Sequence, residues 1–143
     1  MHRFMIVTSL FACAILGLSG CAEMQSTGLT DVLVKSLTSQ LNVTADQAKG
    51  GVGSTLSLAK EKLNGADFSS LTKYIPGSDT YMKAAKDLGA VTGPIKDQAG
   101  LTSAFSRLGM GQDMVPKFSQ TLSDYVGKAG GEQAKNMLAA VMR

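Results

Sequence analysis

Between Thr44 and Leu63 three glycines sit inside an otherwise well-specified amphipathic helix, and that conflict constrains the fold more than any other feature. Thr44 is a good N-cap, and Gln47 three residues later completes a capping-box pattern. Behind it, Ala48, Val52, Leu56, Ala59 and Leu63 recur at 3.6-residue spacing, which predicts a helix over about 45–63. Gly50, Gly51 and Gly53 fall within it. An interior glycine costs about 1 kcal/mol relative to alanine, so three in four positions need compensation from outside the helix. Gly50 and Gly53 lie three apart and Gly51 borders the apolar stripe. The shallow face they make predicts close approach of a neighbouring helix, with a helix distortion at a ligand site as the competing reading.

The rest of the chain supplies helices to surround it. A first helix is expected at about 29–41, with Val34, Leu37 and Leu41 on one side and Leu33 beside them, before a turn at Asn42-Val43. A short amphipathic turn at 68–74 stops at Ile75-Pro76-Gly77, because the ring blocks a helix and glycine allows the reversal. Ser78 or Asp79 is expected to cap a helix to Leu88 that Gly89 ends, and residues 89–96 read as an internal linker. Leu101, Ala104, Phe105 and Leu108 then form an i, i+3, i+4, i+7 stripe closed by Gly109. The next helix starts near Gly111, carries Val115, Phe118, Leu122, Tyr125 and Val126, tolerates Pro116 early, and breaks at Gly130-Gly131. A last helix, about 132–142, buries Ala134, Met137, Leu138 and Val141. No alternating strand pattern of useful length occurs. The expected fold is all-α, a single domain at 29–143 built as a small bundle of about six to seven amphipathic helices.

The N-terminus reads differently. Met1-His2-Arg3 is a short positive end, residues 4–18 are apolar apart from Thr8, Ser9 and Gly17, and Leu18-Ser19-Gly20-Cys21 follows. This looks like a bacterial lipoprotein signal, with residues 1–20 removed and Cys21 lipidated as the new first residue. Two or three acyl chains, each buried CH₂ contributing ~0.8 kcal/mol, hold far more firmly than one myristoyl chain. Two other readings compete: an uncleaved membrane anchor, since residues 4–22 approach the ~20 needed to span, and ordinary cleavage that releases a protein beginning at Glu23. By resemblance to the lipoprotein sorting rule, Ala22 after the cysteine points to the outer membrane. Residues 21–28 would be a flexible tether reaching at most about 30 Å.

Composition narrows the chemistry. Removal of residues 1–20 leaves 123 of 143 residues, a single-domain length, with 13 of the 14 basic residues against 11 acidic ones. Charges are interspersed without runs, and no basic stretch interleaves with aromatics, so nothing asks for nucleic acid. The one histidine, His2, lies in the signal, as does Cys13, and lipidation consumes Cys21. The remaining chain has no histidine for a triad, a general base or a metal site, and no thiol for a disulfide or a nucleophile. These absences argue against an enzyme, and no cofactor is expected.

Lys49-Gly50-Gly51-Val52-Gly53-Ser54-Thr55 resembles the variant phosphate loop of partitioning-type ATPases, KGGVGKT, but Ser54 stands where the phosphate-binding lysine belongs. The capping box upstream also places these glycines inside a helix and not between a strand and a helix. Nucleotide binding is not expected. The acids are scattered singly, and Asp46, Asp79, Asp97 and Asp113 fall where helix caps and dipoles want them. No calcium-loop pattern occurs. Leu41-Asn42-Val43-Thr44-Ala45-Asp46 matches Leu108-Gly109-Met110-Gly111-Gln112-Asp113 at an offset of 67, as a faint repeat or as a common way of plugging a helix–helix corner.

With these residues in view, the chain resembles the VcgC/VcgE-like family of bacterial proteins of unknown function. The matching features are Leu41-x-Val43-x-x-x-Gln47-Ala48-x-Gly50-Gly51-Val52-Gly53, Ile75-Pro76-Gly77, Leu108-Gly109-Met110-x-x-x-Met114-Val115, Tyr125-Val126 and Gly130-Gly131, over about 29–142. The resemblance implies an all-helical fold and secretion, and carries no activity or site residues. The expected function is a lipid-anchored, non-enzymatic module that binds an envelope protein, glycan or lipid. The competing expectation is an envelope enzyme built on carboxylates, for example one acting on a glycan.

Overall fold

The capping box forms at Thr44. The Thr44 hydroxyl accepts from the Gln47 backbone N–H at 3.2 Å, and the Gln47 side-chain oxygen accepts from the Thr44 N–H at 2.9 Å. The computed structural model describes the backbone of residues 27–143 and the side chains of residues 32–143. The expected signal at 1–20, the expected lipidation of Cys21 and the expected tether as far as Ser26 lie outside the described residues. Within them the chain is all-helical, without a strand: α1 (Thr27–Leu41), α2 (Ala45–Lys62), α3 (Gly65–Lys73), α4 (Ser78–Asp87), α5 (Gln98–Arg107) and α6 (Met114–Val141). Gly131 takes a non-helical conformation inside α6, so the expected break at Gly130-Gly131 divides this element into two helical segments. None of these helices is long and apolar enough to cross a membrane.

The helix expected to be amphipathic is the centre of the bundle. α2 packs on every other helix, most extensively on α4. Burial therefore runs round its whole circumference: Val52, Leu56 and Leu58 are buried, and so are Gly50, Gly51, Gly53, Ser54 and Thr55. Buried hydroxyls need partners, and the helix supplies its own. Ser54, Thr55 and Ser57 donate to the carbonyls of Gly50, Gly51 and Gly53, four residues back, at 2.8, 3.0 and 2.8 Å. The glycines thus remove bulk from the helix while the hydroxyls consume polarity locally, which leaves a surface that neighbours can approach dry.

Around this axis the expected stripes are buried: Leu33, Val34 and Leu37 on α1, Leu101, Ala104 and Phe105 on α5, then Val115, Phe118, Leu122 and Val126, and Ala134, Leu138 and Val141 on α6. Phe105 meets Phe118 edge to face at 5.1 Å. Leu41, Leu63, Leu108, Tyr125 and Met137 are only partly buried at the margin.

Several expectations need correction. α1 begins at Thr27, so the expected tether loses its last two residues to the helix. The turn at 68–74 is a nine-residue helix from Gly65, capped by Asn64, whose side chain accepts from the Asp67 N–H at 2.8 Å. Neither Ser78 nor Asp79 caps α4. Gly77 occupies the cap position with φ 77°, without a side-chain cap bond, because the Ile75-Pro76-Gly77 reversal sets the entry angle. Residues 89–96 are no loose linker, since Ala90, Val91 and Ile95 are all buried in the core. The helix expected near Gly111 begins at Met114, with Pro116 in its first turn, where no donor is needed.

The two matching segments at offset 67 share their geometry. Asn42 (φ 54°) and Gly109 (φ 76°) are left-handed residues ending a helix, each followed by a buried plug, Val43 or Met110. Leu88-Gly89-Ala90 repeats the device at an unrelated spacing, with Gly89 at φ 71° and Ala90 buried. A recurrent helix corner accounts for the match. The Gln47 side chain ties two of these corners together by donating to the Leu108 carbonyl at 3.0 Å.

Candidate functional site

The glycine cluster that resembles a phosphate loop is filled by protein. A Cβ on Gly50 would lie 2.6 Å from Leu108 Cδ2, one on Gly51 would lie 2.7 Å from Phe118 Cζ, and one on Gly53 would lie 2.5 Å from the Tyr81 carbonyl carbon. All three are within α2, whose backbone N–H groups are committed to the helix and whose faces carry α4, α5 and α6. The geometry is that of close helix packing.

Open space lies beside the far half of the same helix pair. A groove of about 700 Å³ runs between the C-terminal part of α2, the outer face of α4 and the 91–94 loop. Helix α2 contributes Ser57, Lys60 and Glu61, α4 contributes Asp79, Met82, Lys83 and Lys86, and the loop adds Val91, Thr92, Gly93 and Pro94. The loop is held in place by Val91, whose N–H donates to the Ala85 carbonyl at 3.0 Å and whose side chain is buried. Arg107 of α5 reaches over it and donates to the Thr92 hydroxyl at 2.7 Å. Met82, Val91 and Pro94 make the groove partly apolar, while Lys60, Lys83, Lys86, Glu61 and Asp79 add charges of both signs to its lining. Lys83 also pairs with Asp87 one turn along α4. The volume falls in the range of small-ligand sites, although the rim is charged and open to water.

Several acids, Asp79 of the groove among them, sit where helix ends want them. Asp97 caps α5 by accepting from the Gly100 N–H at 2.8 Å, and Asp46 and Asp79 sit in the first turns of α2 and α4, where the helix dipole favours negative charge. Asp113 precedes α6 but makes no cap bond, and its carboxylate accepts from Lys117 at 3.0 Å instead. That hydrogen bond, with the charge behind it, holds the Asp113 carboxyl below its ordinary value of 3.8. Among the described residues no group of three or more His, Cys, Asp or Glu side chains is placed to hold a metal ion.

None of the groove residues stands out in the sequence as a binding or catalytic residue. Lys60 and Glu61 are separated from Lys83 and Lys86 by more than twenty residues, and only the pairing of α2 with α4 brings them together. The one usable signal was indirect: three small residues on α2 announce a close partner, and a close partner creates grooves along its flanks. Cys21, the single site residue expected from sequence, lies outside the described residues. Comparison with curated proteins and with solved structures found no match. The family model described as protein of unknown function VcgC/VcgE (DUF2780) matches residues 18–143, nearly the whole chain, and the protein belongs to that family.

Proposed function

We propose that this chain is an envelope lipoprotein, held through acylated Cys21 at the periplasmic face of the outer membrane, whose helical domain is a binding module and not an enzyme. The observation that carries the reading is Leu18-Ser19-Gly20-Cys21 behind a positive end and an apolar run. The family match begins at Leu18 and so includes that element. Ala22 after the cysteine supports the outer-membrane assignment through the sorting rule. Binding is supported by the groove between α2 and α4, where a partly apolar lining and charged groups of both signs lie along two packed helices. The partner is an envelope protein, glycan or lipid. A chain that begins at Cys21 has no histidine and no free thiol, which removes the commonest catalytic groups.

The test is photo-crosslinking in intact cells. A crosslinking residue at Lys83 or Lys86 should capture a discrete partner that one at exposed Glu132, away from the groove, does not. Identical products from the groove and from Glu132 would contradict a groove-based module. One observation favours the carboxylate-enzyme alternative: Glu61 and Asp79 line the same groove. Release of fragments from isolated envelope glycan, lost in both Glu61→Gln and Asp79→Asn, would establish it in place of the binding reading.

A further inference from the structure

Helix α6 reverses at one residue. Gly131 has φ 67° and ψ −164°, a region of backbone space essentially reserved for glycine, inside an otherwise helical element. Gly130 is closed to side chains for a separate reason, since a Cβ there would lie 2.6 Å from Ala134 Cβ and 2.7 Å from the Tyr74 ring. In a straight helix the Cβ atoms of residues 130 and 134 stand about 5–6 Å apart, without conflict. Across the bend a Cβ on Gly127 would lie 3.7 Å from Lys135 Cβ, whereas eight residues of continuous helix would separate them by about 12 Å. Gly131 is therefore compatible with a side chain only when α6 is straight, and straightening removes the Ala134 conflict at Gly130 while leaving the one with the Tyr74 ring at the end of α3.

Moving the Gly131 backbone into the helical region would fuse the two segments. The second segment would leave its seat, withdrawing Ala134, Leu138 and Val141 from the core and breaking the bonds that Lys62 and Gln98 donate to the Arg143 and Met142 carbonyls. The vacated seat is identical in every copy, and a segment of the same sequence refills it without new chemistry. We propose that residues 132–143 are an exchangeable element, which docks into a second copy of this chain when residue 131 is helical. The paired glycines hold the chain closed on itself. Exchange of an identical element is a low-cost route to dimers, and short strained hinges invite it. The inference is independent of the proposed function, because it uses only the geometry of α6.

The spacing at the bend provides the assay. Gly127→Cys with Lys135→Cys places two Cβ atoms at a separation suited to a disulfide. In the closed chain the bond is intramolecular, and in the exchanged dimer it joins two chains. The full chain carrying this pair is oxidised and run on a non-reducing gel, with the chain lacking the pair setting the background from Cys13 and Cys21. Adding Gly131→Ala should raise the ratio of covalent dimer to monomer by roughly tenfold or more. The pair alone, refolded from denaturant, should give a dimer fraction that rises with protein concentration, which tests exchange even if Gly131→Ala does not accumulate. Intramolecular crosslinks only, or no crosslink, across these samples would overturn the proposal.

Discussion

Gly53→Ala is the sharpest test of why α2 carries glycine. The new Cβ would lie 2.5 Å from the Tyr81 carbonyl carbon, closer still to its oxygen, and 2.8 Å from Ala85 Cβ. Non-bonded carbons prefer about 3.5–4.0 Å, so α2 and α4 must part by about 1 Å along the most extensive interface in the bundle. Backbone cannot rotate aside as a side-chain tip can, which places the penalty at the upper end of the ~1–3 kcal/mol typical of overpacking. Alanine returns about 1 kcal/mol of helix propensity. The net loss is about 2 kcal/mol, or roughly 8 °C in Tm for a domain of this size. Gly50→Ala is the internal control, because the atoms nearest its Cβ are the ends of the Leu108 and Leu88 side chains, both at the surface margin, which can move. It should be close to neutral, with Gly51→Ala, set against the buried Phe118 ring, in between. Melts followed by circular dichroism at 222 nm give the order directly. A Gly53→Ala midpoint equal to or above that of the native chain would refute the packing argument.

Gly51→Leu should lower stability by ~1–3 kcal/mol in the same melts through overpacking against Phe118. Thr44→Ala removes the hydroxyl that receives the Gln47 N–H and should cost about 1 kcal/mol, read from denaturant unfolding. The Asp113 carboxyl titrates below 3.8 because Lys117 favours its ionised form, so Lys117→Met should bring its midpoint back up in an NMR titration. By the sign of that shift, the stabilisation from this pair is present above the ordinary carboxylate value and disappears as pH falls through the lowered one. Calorimetric titration should show no saturable one-to-one binding of Mg-ATP or zinc below about 10 μM, since the glycine cluster is sealed inside α2 and carboxylates alone hold zinc weakly.

The sequence disclosed helices where periodicity and punctuation agreed. The capping box at Thr44, the left-handed stops at Gly89 and Gly109 and the break at Gly131 were legible because each rests on local backbone chemistry. Residues 89–96 were misread because Ala90, Val91 and Ile95 are too few and too irregular to show a period, although the core claims all three. Asn64 at the start of α3 was overlooked beside the stronger signal of Phe68 and Leu71, even though Asn64-x-x-Asp67 carries its own capping logic. The α2 stripe looked one-sided because glycine, serine and threonine do not register as apolar, yet here they are the contact surface. The groove was invisible for a further reason. Its residues have ordinary types at ordinary spacings, and they become a group only through the fit of Gly53 against Tyr81.

Lipidation at Cys21 is read most directly by mass spectrometry of the protein isolated from its own cells. The expected first residue is Cys21 carrying a diacylglyceryl group and a further acyl chain, with no N-terminal peptide from residues 1–20 and with labelling by palmitate that Cys21→Ser abolishes. An unmodified N-terminus at Glu23, or an intact chain from Met1 with Cys21 unmodified, would contradict it.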